Sequence, residues 1–326
     1  MRDMKAIAID RNGGPEVLGL HDLPVPEVGP LDALVKLEAS GINFIDVYFR
    51  SGHYKPPHFP FVLGSEGAGV VESIGSDVTN VAVGDRVAYA MIPGAYAEYA
   101  AVPAARLVHV PDGVSTRDAA ALMLQGMTAH YLINSTFHLE QGQIALVHAG
   151  AGGVGLLLTQ LAKAKGATVI TTVSTDAKAE LSKKAGADHT IDYTTLDVAE
   201  EVRRITNGAG AHVVYDSVGK TTWEKSIDAL RPRGYFVLYG ASSGPVPPLD
   251  LQVLAQKGSL FATRPSLANY AATPDELNWR AGELFARVLD GTLALRVEHT
   301  YPLADAARAH TELESRATTG KLLLLP

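Results

Sequence analysis

The sequence contains no cysteine. That one absence excludes disulfides, thiolate zinc sites, iron–sulfur clusters and cysteine nucleophiles together. No apolar run reaches the ~18 residues that a membrane-spanning helix needs, and no internal repeat or low-complexity tract interrupts the chain. Basic residues do not predominate. The formal net charge is −7, which gives no reason to expect nucleic acid or an anionic membrane as a partner. Nor does the start resemble a signal peptide: Met1-Arg2-Asp3-Met4-Lys5 is charged and leads straight into the strand-like Ala6-Ile7-Ala8-Ile9. These absences lead to the expectation of a cytoplasmic protein. What is present is a chain of 326 residues, 47% hydrophobic and 19% charged, enough apolar material for two domains or one large one.

The organising stretch is Ile144–Lys165. A short apolar run (Ile144, Ala145, Leu146, Val147) is followed by Gly150-Ala151-Gly152-Gly153-Val154-Gly155 and then a helical run. Gly150, Gly152 and Gly155 fit G-x-G-x-x-G, with a strand before and a helix after, the context a dinucleotide-binding turn requires. A pyrophosphate must approach the backbone at the helix N-terminus, so side chains at Gly150 or Gly152 would obstruct the turn or that approach. Gly155 would let the helix sit close to the sheet. Val154, Leu157, Leu158 and Leu161 recur at helical spacing and are expected to face it.

Residues 1 to about 120 read as β-rich, with short runs such as Ala33–Leu37, Gly69–Ile74 and Arg86–Ala90 between turn clusters. Gly41–Tyr48 and Ser51–Pro57 break that rhythm and are candidate cleft walls. A helix from Thr116 to about Asn134, capped by Ser115 or Thr116, carries Gln125-Gly126-Met127-Thr128 in its middle, where a domain boundary is placed. From Ile144 onward strands and helices alternate, which predicts an α/β fold with a doubly wound parallel sheet of about six strands. Ligands in such sheets bind beyond the carboxyl ends of the strands. Those ends hold Ala149–Gly153, Ser174, Asp192-Tyr193, Ser217-Val218-Gly219 and Tyr239-Gly240-Ala241-Ser242-Ser243. A helix over Pro274–Leu289, a strand near Leu293–His299, a helix over Leu303–Leu313 and a strand over Lys321–Leu325 are expected to pack back on the N-terminal part. The domains expected are therefore 1–125 completed by 265–326, and 126–264.

With these pieces placed, the whole chain resembles the medium-chain dehydrogenase/reductase superfamily, and within it the zinc-free NADPH:quinone oxidoreductase (zeta-crystallin-like) family, most of all its bacterial members. The likeness is carried by Gly142-Gln143-x-x-Leu146-x-x-x-Gly150-Ala151-Gly152-Gly153-x-Gly155 with Gln160 and Lys163. Gly41–Asp46, Val214–Gly219, Arg264-Pro265-Ser266 and Leu313–Ala317 carry it further. The resemblance implies a GroES-like catalytic domain, a Rossmann domain, a cleft between them and a homodimer built on the Rossmann domain. Zinc alcohol dehydrogenases place a cysteine after the Gly-Ile/Val pair and a histidine between Gly and Glu; this chain has Asn43 and Ser65 there. Neither those positions nor the loop pair His53 and His58 makes a metal site, so no metal is expected.

Without a metal, the chemistry narrows. Hydride transfer to an aldehyde develops an alkoxide, which a zinc Lewis acid stabilises in this superfamily. Quinone reduction develops a phenolate, whose conjugate acid has a pKa near tyrosine's ~10, so hydrogen bonds can hold it. An enone gives an enolate, also delocalised. Three functions are therefore open: a quinone reductase, an enone or alkenal reductase of the same fold, and a non-catalytic NADPH-binding protein. Asn43, Tyr48 and Tyr54 are the candidate polar groups near the nicotinamide, and Thr128 a candidate for its ribose or carboxamide. Asn43 and Asp46 have an alternative reading as a capped turn at a helix start, and Tyr48 as a half-buried core ring.

The second Rossmann strand ends at Val173-Ser174, with no carboxylate at its tip to repel a 2′-phosphate, and Lys178 lies one turn on. NADPH is expected over NADH. Asp176 is either a displaced ribose acid or a helix N-terminal residue favoured by the dipole. By the resemblance, Tyr193 and Arg316 would close around the same phosphate. The cofactor set then comprises Asn43, Asp46, Tyr48, Thr128, Gly152, Gly153, Val154, Ser174, Lys178, Tyr193, Ser217, Tyr239, Gly240, Ser242, Ser243, Arg264 and Arg316.

Overall fold

Among residues 2–326, which this computed structural model describes, eight strands precede the long central helix: β1 (Asp3–Ile9), β2 (Gly19–Pro24), β3 (Asp32–Ile42), β4 (Phe61–Val62), β5 (Glu66–Ile74), β6 (Arg86–Ala90), β7 (Tyr99–Pro103) and β8 (Val108–His109). Helix α1 (Phe44–Ser51) follows β3 directly, and Gly52 ends it at φ 83°, a left-handed conformation that glycine adopts without a Cβ penalty. The central helix α2 (Thr116–Tyr131) starts at Ser115, whose hydroxyl and the Asp118 carboxylate and amide bond one another. It does not run on to Asn134. Leu132–Thr136 widen into a π turn, closed by the Phe137 N–H on the Leu132 carbonyl, where β-branched and short polar side chains weaken helical preference.

Strands and helices then alternate: β9 (Ile144–Val147), α3 (Gly153–Ala164), β10 (Thr168–Val173), α4 (Asp176–Lys184), β11 (His189–Asp192), α5 (Val198–Ile205), β12 (Ala211–Asp216), α6 (Trp223–Asp228), β13 (Leu230–Leu238), α7 (Leu251–Gln256), β14 (Phe261–Thr263) and α8 (Leu267–Tyr270). The six strands form one parallel sheet in the order β11-β10-β9-β12-β13-β14. The order reverses at β9, so the turn after β9 sits at the topological switch point. Leu157, Leu158 and Leu161 of α3 are buried as expected; Val154 is only half-buried, and Leu156 is buried as well. Leu146, Ile170, Val214 and Phe236 make the sheet's core with Val202 and Ile227 from the helices.

The chain closes with α9 (Pro274–Leu289), β15 (Val297–Pro302), α10 (Ala306–Glu314) and β16 (Lys321–Leu325). Thr273 and Glu276 cap α9 reciprocally, with Pro274 at its first position. The strand expected near 293–299 lies further on, at β15, because Tyr301 is the side chain that turns into the core. β16 pairs antiparallel with β3, Leu322 opposite Ile42. The chain divides into two compact units, Met1–Met127 with Ala271–Pro326 and Thr128–Tyr270. The first holds a seven-stranded sheet, β15-β16-β3-β5-β6-β8 with β7 on β3, and the small sheet β2-β1-β4. Among the described residues no helix is long and apolar enough to cross a membrane.

Candidate active site

In the unit Thr128–Tyr270, main chain does most of the positioning. The first bond of α3 runs from Leu156 N–H to the Gly152 carbonyl. The amides of Gly153, Val154 and Gly155 therefore precede the helical ladder, at the positive end of the helix dipole. The three glycines serve different needs. A Cβ at Gly155 would come 2.2 Å from the Ala149 carbonyl, and one at Gly150 would meet Thr171 at 2.5 Å and Ser182 at 2.7 Å. Both are demanded by the protein's own packing. A Cβ at Gly152 would come 3.2 Å from the Ala149 carbonyl, a tight contact but the least crowded of the three. A close-approaching pyrophosphate would crowd it further. The residues present thus fit a dinucleotide at this turn.

Neighbouring strand ends complete the bed. Asp216 at the end of β12 accepts from the Val218 and Gly219 amides at 2.8 and 3.0 Å, fixing the turn that carries Ser217. Ser242 and Ser243 amides bond the Ser217 and Val218 carbonyls at 3.1 and 2.9 Å, and the Tyr239 amide bonds the Asp216 carbonyl. A Cβ at Gly240 would strike the Ser217 carbonyl at 2.5 Å. Behind the glycine turn lies a buried relay: Ser226 donates to Asp216 at 2.7 Å and accepts from His148 Nε2 at 2.9 Å, leaving His148 Nδ1 to accept from Thr172 at 3.1 Å. Burial lowers the His148 pKa, against the pull of Asp216, which agrees with the neutral tautomer that this pattern assigns.

At the tip of β10, Lys178 Nζ reaches Ser174 Oγ at 3.4 Å, and the Tyr193 amide bonds the Val173 carbonyl at 3.1 Å. Ser174, Lys178 and Tyr193 therefore lie together at adjoining strand ends. Asp176 is the first residue of α4, capped by Thr175. Arg264 follows β14, with Nη1 on the Pro265 carbonyl at 3.2 Å. Thr128, in α2, is buried.

The other unit holds Asn43, Asp46, Tyr48, Tyr54 and Arg316. Here buried side chains do the positioning. Asn43 is buried with its amide fully engaged: Nδ2 donates to Glu66 at 2.9 Å and to the Gly41 carbonyl at 3.4 Å, while Oδ1 accepts from Lys321 at 2.9 Å and Gln125 at 3.2 Å. That fills every donor and acceptor an amide has. Lys321 is also paired directly with Glu66, at 3% and 0% exposure, so this ion pair has essentially no solvent to fall back on. Glu66 also accepts from the Leu124 amide of α2. Gly41 is needed beneath the pair, since a Cβ there would collide with Glu66.

Asp46 is wholly buried and accepts from the Asn43 amide, Ser65 Oγ and Tyr96 Oη at 2.9, 2.9 and 3.1 Å. Desolvation pushes its pKa up to about 6, against the lowering effect of those bonds and of Lys321. Tyr96 in turn meets His310 Nε2 at 3.1 Å, and His310 Nδ1 meets Arg50 at 3.0 Å. Burial, and then Arg50, hold His310 down at about 3. Arg50 is 2% exposed and pairs with Glu314 at the end of α10. The chain of donors runs from Arg50 through His310 and Tyr96 to Asp46. These contacts make Asn43 and Asp46 holders of α1 within their own unit.

The half-buried Tyr48 packs edge-on against His53 and Tyr54, with centroids 5.2 and 5.3 Å away. Arg316 stands beyond α10 at φ 61°. Sequence reasoning passed over Lys321, Glu66, Arg50, Tyr96 and His310. One signal was available: Lys321 opens a run of four leucines, and a lone cation on a core strand calls for a buried counter-charge.

Among the described residues, no three His, Cys, Asp or Glu side chains are grouped to hold a metal ion. The fold and these sites define a nucleotide-dependent dehydrogenase or reductase of the two-unit, medium-chain type. Residues 153–270 match the zinc-binding dehydrogenase family and residues 29–112 the alcohol dehydrogenase GroES-like domain. The chain is 50% identical to a quinone oxidoreductase of Pseudomonas aeruginosa over 99% of both chains. It is 43% identical to a 2-haloacrylate reductase of Burkholderia over 98% of both. The structure of Escherichia coli quinone oxidoreductase complexed with NADPH superposes with a TM-score of 0.97 at 45% identity, over 99% of this chain and 100% of that one. The chain belongs to the quinone oxidoreductase family of the medium-chain dehydrogenase/reductase superfamily and is an oxidoreductase.

Proposed function

We propose that this protein is a zinc-independent NADPH:quinone oxidoreductase. The observation that carries the reading is the Lys321 ammonium held on Asn43 and Glu66, beside the positions where a zinc dehydrogenase has its cysteine and histidine. A fixed cation there opposes a second one, and Asn43 and Ser65 supply neither thiolate nor imidazole. A phenolate-forming acceptor needs no Lewis acid, because its charge is already delocalised. A simple alcohol would need one.

NADPH, when bound, supplies the hydride. Gly152, Gly153 and Val154 would hold its pyrophosphate, and Ser174, Lys178 and Tyr193 its 2′-phosphate. Ser217, Tyr239, Gly240, Ser242, Ser243 and Arg264 would bed the rest, and Thr128 the nicotinamide end. Tyr48 and Tyr54 present ring faces and hydroxyls to the acceptor; Asn43 and Asp46 keep α1 in place beneath them. A cytoplasmic homodimer built on Thr128–Tyr270 belongs to the same proposal. Its support is the edge strand β14, where the stacked ring of Phe261 stays half exposed.

A second reading, reduction of enones or other activated alkenes, is favoured by the likeness to the 2-haloacrylate reductase. Steady-state rates with NADPH across a quinone panel and an enal panel separate the two. The proposal expects faster turnover of quinones, no stoichiometric zinc and no oxidation of simple alcohols. Faster enal turnover selects the second reading; bound zinc with alcohol oxidation removes both.

A further inference from the structure

We infer that Gln125 is a ligand-contact residue whose side-chain oxygen takes a hydrogen bond from a neutral O–H or N–H group of the bound reactants. The orientation of its amide follows from its neighbours. Lys321 can only donate and an ionised Glu66 can only accept. The first faces Asn43 Oδ1 and the second Asn43 Nδ2, so the Asn43 amide has one workable orientation. Gln125 must then meet Asn43 Oδ1 through Nε2, as it does at 3.2 Å. Its own Oε1 is the atom left over. That oxygen is sealed from water and has no hydrogen-bond partner, on a residue only 9% exposed.

Buried acceptors are normally satisfied. Four other buried groups share this condition: the Tyr89, Thr136 and Thr159 hydroxyls and Arg231 Nε. Of the five, Gln125 alone bonds directly to Asn43, a candidate site residue. The Glu66–Lys321 pair holds the amide in this orientation even though it leaves Oε1 unpaired. Contact with a ligand requires the atoms covering Oε1 to give way, and an acceptor without a partner loses no bond when they do.

The chemistry of the reactants limits what can fill the position. An oxidised quinone carries carbonyl acceptors and no donor, so it cannot satisfy Oε1. The hydroxyls and carboxamide of the dinucleotide can, and so can an O–H of the hydroquinone product. Both sources offer the same neutral donor; a phenolate oxygen would be repelled.

This inference rests on the reading of the protein as an NADPH-dependent quinone reductase, and one control separates the two. If the unaltered protein does not bind NADPH, that reading fails. If it does, Gln125→Met, which removes Oε1 and with it the Nε2 bond to Asn43 at nearly constant volume, tests the inference, and a solved NADPH complex of the unaltered protein separates the two losses. The dissociation constant for NADPH, from fluorescence titration without quinone, is expected to rise about 5–10-fold. If it does not rise and the inhibition constant for hydroquinone does, by a similar factor, the donor is the product. If neither moves, the inference is overturned. Should the variant fold poorly, a solved complex of the unaltered protein with NADPH decides. A ligand donor within about 3.2 Å of Oε1 supports the inference, and an ordered water alone there overturns it.

Discussion

The two units position their candidate residues by different means. In Thr128–Tyr270 the ligand bed is mostly main chain and small side chains, and its buried polar contacts span less of the chain: 11 residues from Thr171 to Ser182, 24 from His148 to Thr172, 78 from His148 to Ser226 and 83 from Leu132 to Tyr215. In the other unit, buried charges hold α1, and they come from opposite ends of the chain: 255 residues separate Glu66 from Lys321 and 260 separate Arg50 from His310. A bed made of backbone fails when an atom is added. A network of buried charges fails when one is taken away.

The largest effect is expected from Lys321→Met. It leaves the Glu66 carboxylate buried and uncompensated, which costs about 3–5 kcal/mol, read by denaturant unfolding at pH 7. Combining it with Glu66→Gln should recover most of the loss, since no charge is then stranded. A loss below about 1 kcal/mol for the single variant would break the contrast between the units.

Next in size are two opposed pH dependences inside one network. His310 holds its proton less readily folded than unfolded, about 3 against 6.5. The stability it contributes is therefore complete above pH 6.5 and is lost as pH falls toward 3. Asp46 behaves in the opposite sense, about 6 against 3.8. Its ionised form costs stability above pH 6, and that cost disappears as pH falls toward 3.8. Each slope is worth about 1.4 kcal/mol per pH unit, so over pH 6 to 4 they largely cancel. His310→Gln keeps an acceptor for Arg50 and a donor for Tyr96. Relative to the unaltered protein, its stability should rise by about 3 kcal/mol between pH 6.5 and pH 4. Asp46→Asn should fall by a similar amount between pH 6 and pH 4. Stability curves parallel to that of the unaltered protein would show that neither group titrates as described.

In the main-chain bed the effects are smaller and fall on binding. Lys178→Ala removes a charge-assisted contact with the proposed 2′-phosphate, worth roughly 1.5–3 kcal/mol. NADPH affinity should drop about 10–150-fold while NADH changes little, and equal losses for both cofactors would remove Lys178 from that role. Gly155→Ala should cost about 1–3 kcal/mol of folding stability, because its Cβ meets the Ala149 carbonyl. Gly152→Ala should cost less than Gly155→Ala, about 1 kcal/mol, since its φ of −76° suits alanine and the Ala149 carbonyl, 3.2 Å from the new Cβ, need move only by tenths of an ångström, and yet weaken NADPH binding. A Gly152→Ala protein that binds NADPH normally would show that no pyrophosphate approaches there.

The parts of the site that could be read in advance are those where local geometry states its own requirements. A strand, a glycine turn and a helix in succession predict the turn that β9 and α3 form, and the missing carboxylate after Val173 is what suggests the proposed 2′-phosphate site. Of the five residues that secure α1, only Lys321 left a local sign, a lone cation ahead of four leucines, and that sign does not name Glu66 as its partner. Arg50 and His310 look like an ordinary helix cation and an ordinary helix histidine until α10 is laid beside α1. Gln125 was visible only as one member of a polar stretch; that its oxygen is unpaired depends on Lys321, 196 positions later.

By itself, the order of residues determined the parallel sheet, its switch point and the glycine turn, and it put Asn43 and Ser65 where a zinc dehydrogenase has its cysteine and histidine, because each follows from periodicity, turn chemistry or residue type within a few positions. Only the tertiary structure decided which cation stands beside Asn43 and which acid stays buried near neutral pH. Those outcomes depend on β16 pairing with β3 and α10 packing near α1. Desolvation and ion pairing act through space between side chains whose separation along the chain carries no local signal.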